Sequence, residues 1–111
     1  MELPKNLSSF EWCSIFYNLI QNAIEACDKL PAGIERRIEI TMSNVDIHCC
    51  VSIENPVIAD IEINNGQIDT DKADKNNHGL GIRNVTDIME RHDGIIRFSC
   101  ENRVFRVNVV L

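Results

Sequence analysis

From Ser9 to Lys29 the apolar residues Phe10, Cys13, Phe16, Leu19, Ile20, Ala23, Ile24 and Cys27 recur at three- and four-residue steps, the spacing of one face of an amphipathic helix. Ser8 or Ser9 offers an oxygen to cap its start, and Pro31 and Gly33 end it. Arg37–Met42 and His48–Glu54 then alternate polar and apolar, which predicts two strands with one buried face each, joined through Ser43-Asn44. The chain closes in the same way. Gly94–Cys100, a turn at Glu101-Asn102 and Arg103–Leu111 predict a β-hairpin. Between the two strand pairs, Ile82, Val85, Ile88 and Met89 mark a second helix over about Leu80 to His92, stopped by a left-handed cap at Asp93-Gly94.

One stretch breaks the pattern. After Asn55-Pro56 the chain turns polar, through Asn64-Asn65-Gly66-Gln67 and on from Asp69 to Asn77. A compact domain rarely carries so long a segment without structure unless it serves as a lid. Residues 59 to 77 are therefore expected to be largely mobile, a lid leading into the glycine turn His78-Gly79-Leu80-Gly81.

Composition narrows the setting. At 111 residues the chain is one domain, 1–111. A formal charge of −6 argues against a nucleic-acid surface. No apolar run approaches the roughly 18 residues of a membrane span, and Met1–Asn6 does not resemble a signal peptide. Five cysteines without a CxxC spacing point away from zinc and from a disulfide framework. Cys13, Cys27 and Cys100 lie in apolar stretches and read as small core residues. A reducing cytoplasm is the compartment this usage suits.

The candidate chemistry sits on the helices. Asn18 and Asn22 are four residues apart in the first, so their amides stack on one face, away from the apolar stripe. Carboxamide oxygens are hard ligands of the kind Mg²⁺ accepts. A glycine turn at the start of the second helix offers free N–H groups and the positive end of the helix dipole, which suit phosphates. Asn18 and Asn22 with Gly79, Leu80 and Gly81 therefore suggest a nucleoside-triphosphate site. For each residue taken singly, a solvated polar face or a plain loop-to-helix turn remains open.

The order of these features resembles the ATP-binding domain of the GHKL superfamily. Asn18-Leu-Ile-Gln-Asn-Ala-Ile-Glu-Ala26 looks like the N box of sensor histidine kinases, and His78-Gly-Leu-Gly-Ile-Arg-Asn-Val85 like their G2 box. Met89–Gly94 and Arg103–Val107 are similar to that group too. The subgroup most resembled is the peptide-sensing (AgrC-like) sensor kinases, whose G2 box also begins His-Gly after a Thr-x-Lys motif, here Thr70-Asp71-Lys72. The resemblance implies an α/β fold, a two-layer sandwich of the Bergerat type with a mixed, mostly antiparallel sheet under helices and a flexible ATP lid. It implies ATP and Mg²⁺, with Asn22 as metal ligand and Asn18 beside the phosphates. Lys72, His78, Gly79, Leu80, Gly81 and Arg83 are then phosphate-side residues. Where most histidine kinases carry Asp-x-Gly-x-Gly, this chain has Glu54-Asn55-Pro56, so Asn55 takes the adenine-reading position.

None of His48, His78 and His92 has the setting of a phosphoacceptor, which in the resembled family lies on a separate dimerisation helix. His92, before the Asp-Gly stop, reads as structural. The chain is thus expected to be a catalytic domain excised from a longer, membrane-anchored cytoplasmic kinase. Its partners would be the acceptor-histidine domain of the same protein and a response regulator. The isolated domain is expected to be monomeric and the full-length protein a homodimer, with no contact to membrane or nucleic acid by this domain. A serine kinase of the anti-sigma-factor type and a non-catalytic nucleotide-binding module of the same fold are the alternatives.

Overall fold

The computed structural model describes residues 7–68 and 79–111. Its order is α1 (Ser9–Asp28), β1 (Glu39–Val45), β2 (His48–Pro56), α2 (Gly79–Arg91), β3 (Ile95–Glu101) and β4 (Val104–Val110). The strands form one sheet in the order β1-β2-β4-β3, with both helices on one face. This is the expected two-layer α/β sandwich. Every described pairing is antiparallel, so the mixed sheet narrows to an antiparallel one.

α1 begins with a reciprocal capping box. Ser8 Oγ accepts from Glu11 N at 3.1 Å, and Glu11 Oε1 accepts from Ser8 N at 3.2 Å; such a cap is worth about 1 kcal/mol. The buried stripe differs from the expected one. It runs Trp12, Ile15, Leu19, Ala23, Cys27, whereas Phe10, Cys13 and Ile24 are exposed. Both sets follow helical spacing, because α1 is apolar over more than half its circumference, and the periodicity alone did not choose between them. Cys13 is accordingly not a core residue, while Cys27 and Cys49 are.

In the sheet, cross-strand rows set the core. Val51, Val109 and Ile96 form one row and Ile53, Val107 and Phe98 the next, all buried under the helices with Ile15, Leu19, Val85, Ile88 and Met89. The other face is polar; there Glu54 pairs with Arg106 directly opposite. Ser43-Asn44 is not the first turn. Both stay in the ladder opposite Cys50 and Cys49, and the chain reverses at Asp46-Ile47, where Asp46 takes φ 55°.

α2 closes as a Schellman motif, with Gly94 N bonded to Met89 O at 2.7 Å and Asp93 N to Glu90 O. The left-handed residue is Asp93, at φ 55°. Gly94 is needed for a different reason, since a Cβ there would lie 2.6 Å from Leu111 and Met89 side-chain atoms.

The polar stretch after β2 is not loose as far as Ile68. Val57 N bonds Arg103 O at 2.9 Å, and Asp60 Oδ1 accepts from Arg103 N at 2.7 Å. Ile61 N bonds Cys100 Sγ at 3.4 Å. Asn65 and Gly66, at φ 53° and 76°, make a tight turn that Asn64 and Gln67 close with two 2.9 Å backbone bonds. The turn docks on β3, with Phe98 N donating to Gly66 O at 2.8 Å and Gln67 Nε2 to Ile96 O at 2.9 Å. The expected mobility of 59–77 is thus corrected for its first half; residues 69–78 lie outside the described part.

The final hairpin turns at Asn102-Arg103, one residue later than expected, with φ 52° and 62°. Two positive φ values define a type I′ turn, which favours glycine at its second position. Replacing Arg103 by Gly keeps both backbone bonds and removes left-handed strain of about 1 kcal/mol. Arg103→Gly is expected to raise the urea unfolding free energy by about that amount; an unchanged or lower value contradicts the turn.

Candidate functional site

Two contacts align the helices antiparallel. At one end, Glu11 in the first turn of α1 meets His92 just past α2, with Oε2 and Nε2 2.9 Å apart and Arg91 at 3.6 Å. Further along, Asn18 faces Gly81: a Cβ on Gly81 would stand 3.1 Å from Asn18 Oδ1. A methyl group at 81 would require the Asn18 side chain or the helix spacing to give by a few tenths of an ångström.

The orientation of that amide is defined. Asn18 Nδ2 donates back to Ser14 O at 2.8 Å and Ser14 Oγ at 3.3 Å, which leaves Oδ1 directed at the first turn of α2. Ser14 was not singled out from the sequence, although it stands four residues before Asn18, where such a bond forms. Asn22 is one turn further on, half-buried, and its side chain makes no hydrogen bond among the described residues. Asn18 Oδ1 therefore lies against the first turn of α2, with Asn22 one turn further along α1, and the amides of Gly79, Leu80 and Gly81 have no partner within the helix.

Asn55 lies toward the same end of the molecule. Gly94 packs on Leu111 and Val110, and Leu111 pairs with Cys49 at the start of β2, so α2 ends over that side of the sheet. Its first turn therefore lies toward the other side, where β2 finishes at Asn55-Pro56. Asn55 is the one buried polar residue among those described, 4% exposed. It occupies the inner face in the row with Phe105 and Cys100. Its Nδ2 donates to Pro56 O at 3.0 Å, leaving Oδ1 as an acceptor.

Arg83 is exposed on α2. Lys72 and His78 lie outside the described residues, as does the side chain of Leu80. His92 is structural, as expected, and His48 opens β2. Burial pushes the thiols of Cys49 and Cys100 up, so neither is an activated nucleophile. All five cysteines are free, and no metal-binding cluster of His, Cys, Asp or Glu occurs among the described residues. No described helix is long and apolar enough to cross a membrane.

A family profile described as GHKL domain matches residues 7–111. The chain belongs to this family, whose domains bind ATP, generally with Mg²⁺, and include kinases and ATPases. Among curated proteins no match is found.

The Glu11–His92 contact has a pH signature. The His92 hydrogen bond first, then the Ser8 N–H, hold the Glu11 carboxyl below its ordinary 4.5. A lowered carboxylate stabilises the fold above its unfolded pKa and loses that contribution as pH falls through the folded value. Wild type and Glu11→Gln are expected to differ in urea midpoint near neutral pH and to converge once the pH has fallen below the ordinary carboxylate range and through the lowered folded value. A gap that persists after the carboxyl is protonated would contradict the pair.

Proposed function

We propose that this chain is the ATP-binding catalytic domain of a longer sensor histidine kinase. It transfers the γ-phosphoryl group of ATP to a histidine on a separate dimerisation domain, from which a response regulator takes it. The observation that carries the reading is the approach of Asn18 Oδ1 to Gly81. It brings the two motifs, about sixty residues apart in the chain, into direct contact, an amide oxygen of α1 against the first turn of α2, which supports a shared site.

The donor set fits a hard cation, since the groups offered are neutral oxygens at Asn22 and Asn18 rather than thiols or imidazoles. Mg²⁺ bound there with the triphosphate supplies neutralisation of the phosphate charge. Asn22 would hold it, and Asn18 would lie beside the phosphates. The amides of Gly79, Leu80 and Gly81 bind and orient the phosphates at the positive end of the helix. His78, Lys72 and Arg83 add donors and positive charge on that side. Asn55, with its NH₂ engaged by Pro56 O, offers only an acceptor, which suits the amino group of adenine and not the keto group of guanine.

The acceptor histidine is the nucleophile, so positioning and electrostatics are what this domain contributes. The 111-residue chain alone is expected to bind nucleotide without phosphorylating itself. In calorimetry, wild type is expected to bind ATP in a Mg²⁺-dependent manner, and Asn22→Ala to lose at least tenfold in affinity, about 1.4 kcal/mol. Asn55→Ala should weaken ATP without affecting the metal dependence. Equal Mg²⁺-dependent binding by wild type and Asn22→Ala, or none by either, would sink the proposal.

A further inference from the structure

The two edges of the sheet differ. At β3 the chain covers its own edge with the Asn65-Gly66 turn, through Phe98 N–Gly66 O and Gln67 Nε2–Ile96 O. At β1 no described segment pairs with the outer edge, and all seven residues are exposed. Ile40 stands opposite Ile53 and Met42 opposite Val51, on the helix-covered face. Yet Ile53 and Val51 are 1% and 2% exposed, against 45% and 44% for Ile40 and Met42. The helix layer stops above β2, and the core rows continue into the open.

α1 provides a wall to this ledge. Cys13, Tyr17 and Ile24 are exposed and Ile20 half-buried, at steps of three and four. At roughly 100° per residue they fall on the flank opposite Asn18 and Asn22, away from α2 and toward β1.

The unpaired backbone groups belong to the same residues. The two-residue turn at Asp46-Ile47 makes Val45 and His48 the closing, hydrogen-bonded pair. Alternation along the ladder then turns the N–H and C=O of residues 39, 41, 43 and 45 toward β2, and those of Ile40 and Met42 outward. β1 contains neither lysine nor proline, the residues that commonly blunt an edge.

We infer that this edge pairs with β1 of a second copy of the chain, antiparallel about a two-fold axis through Thr41, to give a continuous eight-stranded sheet. The strand required is apolar on the inner face at the two positions flanking its centre, polar on the outer face there and uncharged at its centre, and β1 itself offers Ile40 and Met42 inward with Glu39, Thr41 and Ser43 outward. In this register Ile40 of each copy faces Met42 of the other, Thr41 faces Thr41, and Glu39 faces Ser43. No like charges meet. The Arg36-Arg37 end of each strand comes alongside Asp46 of its mate, so charge favours the antiparallel sense. The buried row then runs unbroken from Val51 through Met42 to Ile40 and Ile53 of the second copy. Both α1 flanks rise from the same face, over the joined strands. The interface takes the place of the expected monomer for the isolated domain and uses no residue of the nucleotide cleft.

The test is sedimentation velocity of the 111-residue chain over a wide concentration range, with amide hydrogen exchange at each concentration. The mass is expected to rise with concentration from 12.6 kDa toward twice that value, with slowed exchange at Ile40 and Met42. Met42→Lys adds a charge at an already exposed site; it should stay monomeric, with the melting curve of wild type at concentrations where wild type is itself monomeric. Ile47→Lys, in the turn and 90% exposed, should dimerise like wild type. A wild-type chain monomeric throughout, a Met42→Lys chain that dimerises undiminished, or slowing confined to another surface would each overturn the inference.

Discussion

The contact between the Asn18 carboxamide and the bare Cα of Gly81 is the constraint on which the site depends. A Cβ at 81 would stand 3.1 Å from Asn18 Oδ1, closer than packed side chains normally come. Replacing that hydrogen by a methyl group would move α1 away from α2 or turn the amide aside. The contact therefore ties helix packing to the candidate site: the spacing that lets Ile15, Leu19, Val85 and Met89 share one core also sets how closely Asn18 meets the first turn of α2. The capping box and the Glu11–His92 pair hold the other end of the same helix pair, so sliding of one helix past the other is opposed at two points.

Much of this was legible in the sequence, and the failures have physical causes. Both helices, four strands and their order follow from periodicity, and the buried set Ile82, Val85, Ile88 and Met89 emerged as expected. The buried stripe of α1 did not, because Phe10, Cys13 and Ile24 obey the same spacing as Trp12, Ile15 and Leu19. Only the position of the neighbouring layers decides which stripe is covered. The two hairpin turns slipped by three residues and by one because Asp46 and Arg103 take left-handed conformations that no glycine announces, whereas the cap at Asp93-Gly94 stands where it was expected. The fixed segment to Ile68 was missed for a different reason. Its polarity suggested mobility, while Asn65-Gly66 is a strong short-range turn signal, and its partners Phe98 and Ile96 lie some thirty residues away. At the site, the motifs gave Asn18, Asn22, Asn55 and the glycines. The sequence did not reveal Ser14 as the group that turns the Asn18 amide.

Treatment of polar groups separates the parts of the molecule. Glu54 and Arg106 satisfy each other on the outer face, and Asp60 caps the last hairpin through Arg103 N. These groups have partners within the fold and serve it. Asn18 Oδ1, Asn55 Oδ1 and the Asn22 amide are presented differently. Two of the amides have their NH₂ groups tied to local carbonyls, so that oxygen is what they offer outward. Holding these carboxamides by the nitrogen end leaves the oxygen as the group each presents outward.

The same arrangement bears on what the proposed kinase site would leave undone. By its resemblance to the GHKL superfamily, the chain has Asn18 where the gyrase-type ATPases of that superfamily carry a glutamate that activates water. A neutral amide has no useful proton affinity near neutral pH, and here its nitrogen is already bonded to Ser14. It can orient a phosphate-side ligand but cannot deprotonate water. A cleft that positions a triphosphate without a base beside it keeps hydrolysis slow. The phosphoryl group is then held for a nucleophile supplied from elsewhere, whose own basicity does what the cleft does not. On this reading, substituting an amide for a carboxylate one turn before Asn22 separates a transferase from a hydrolase.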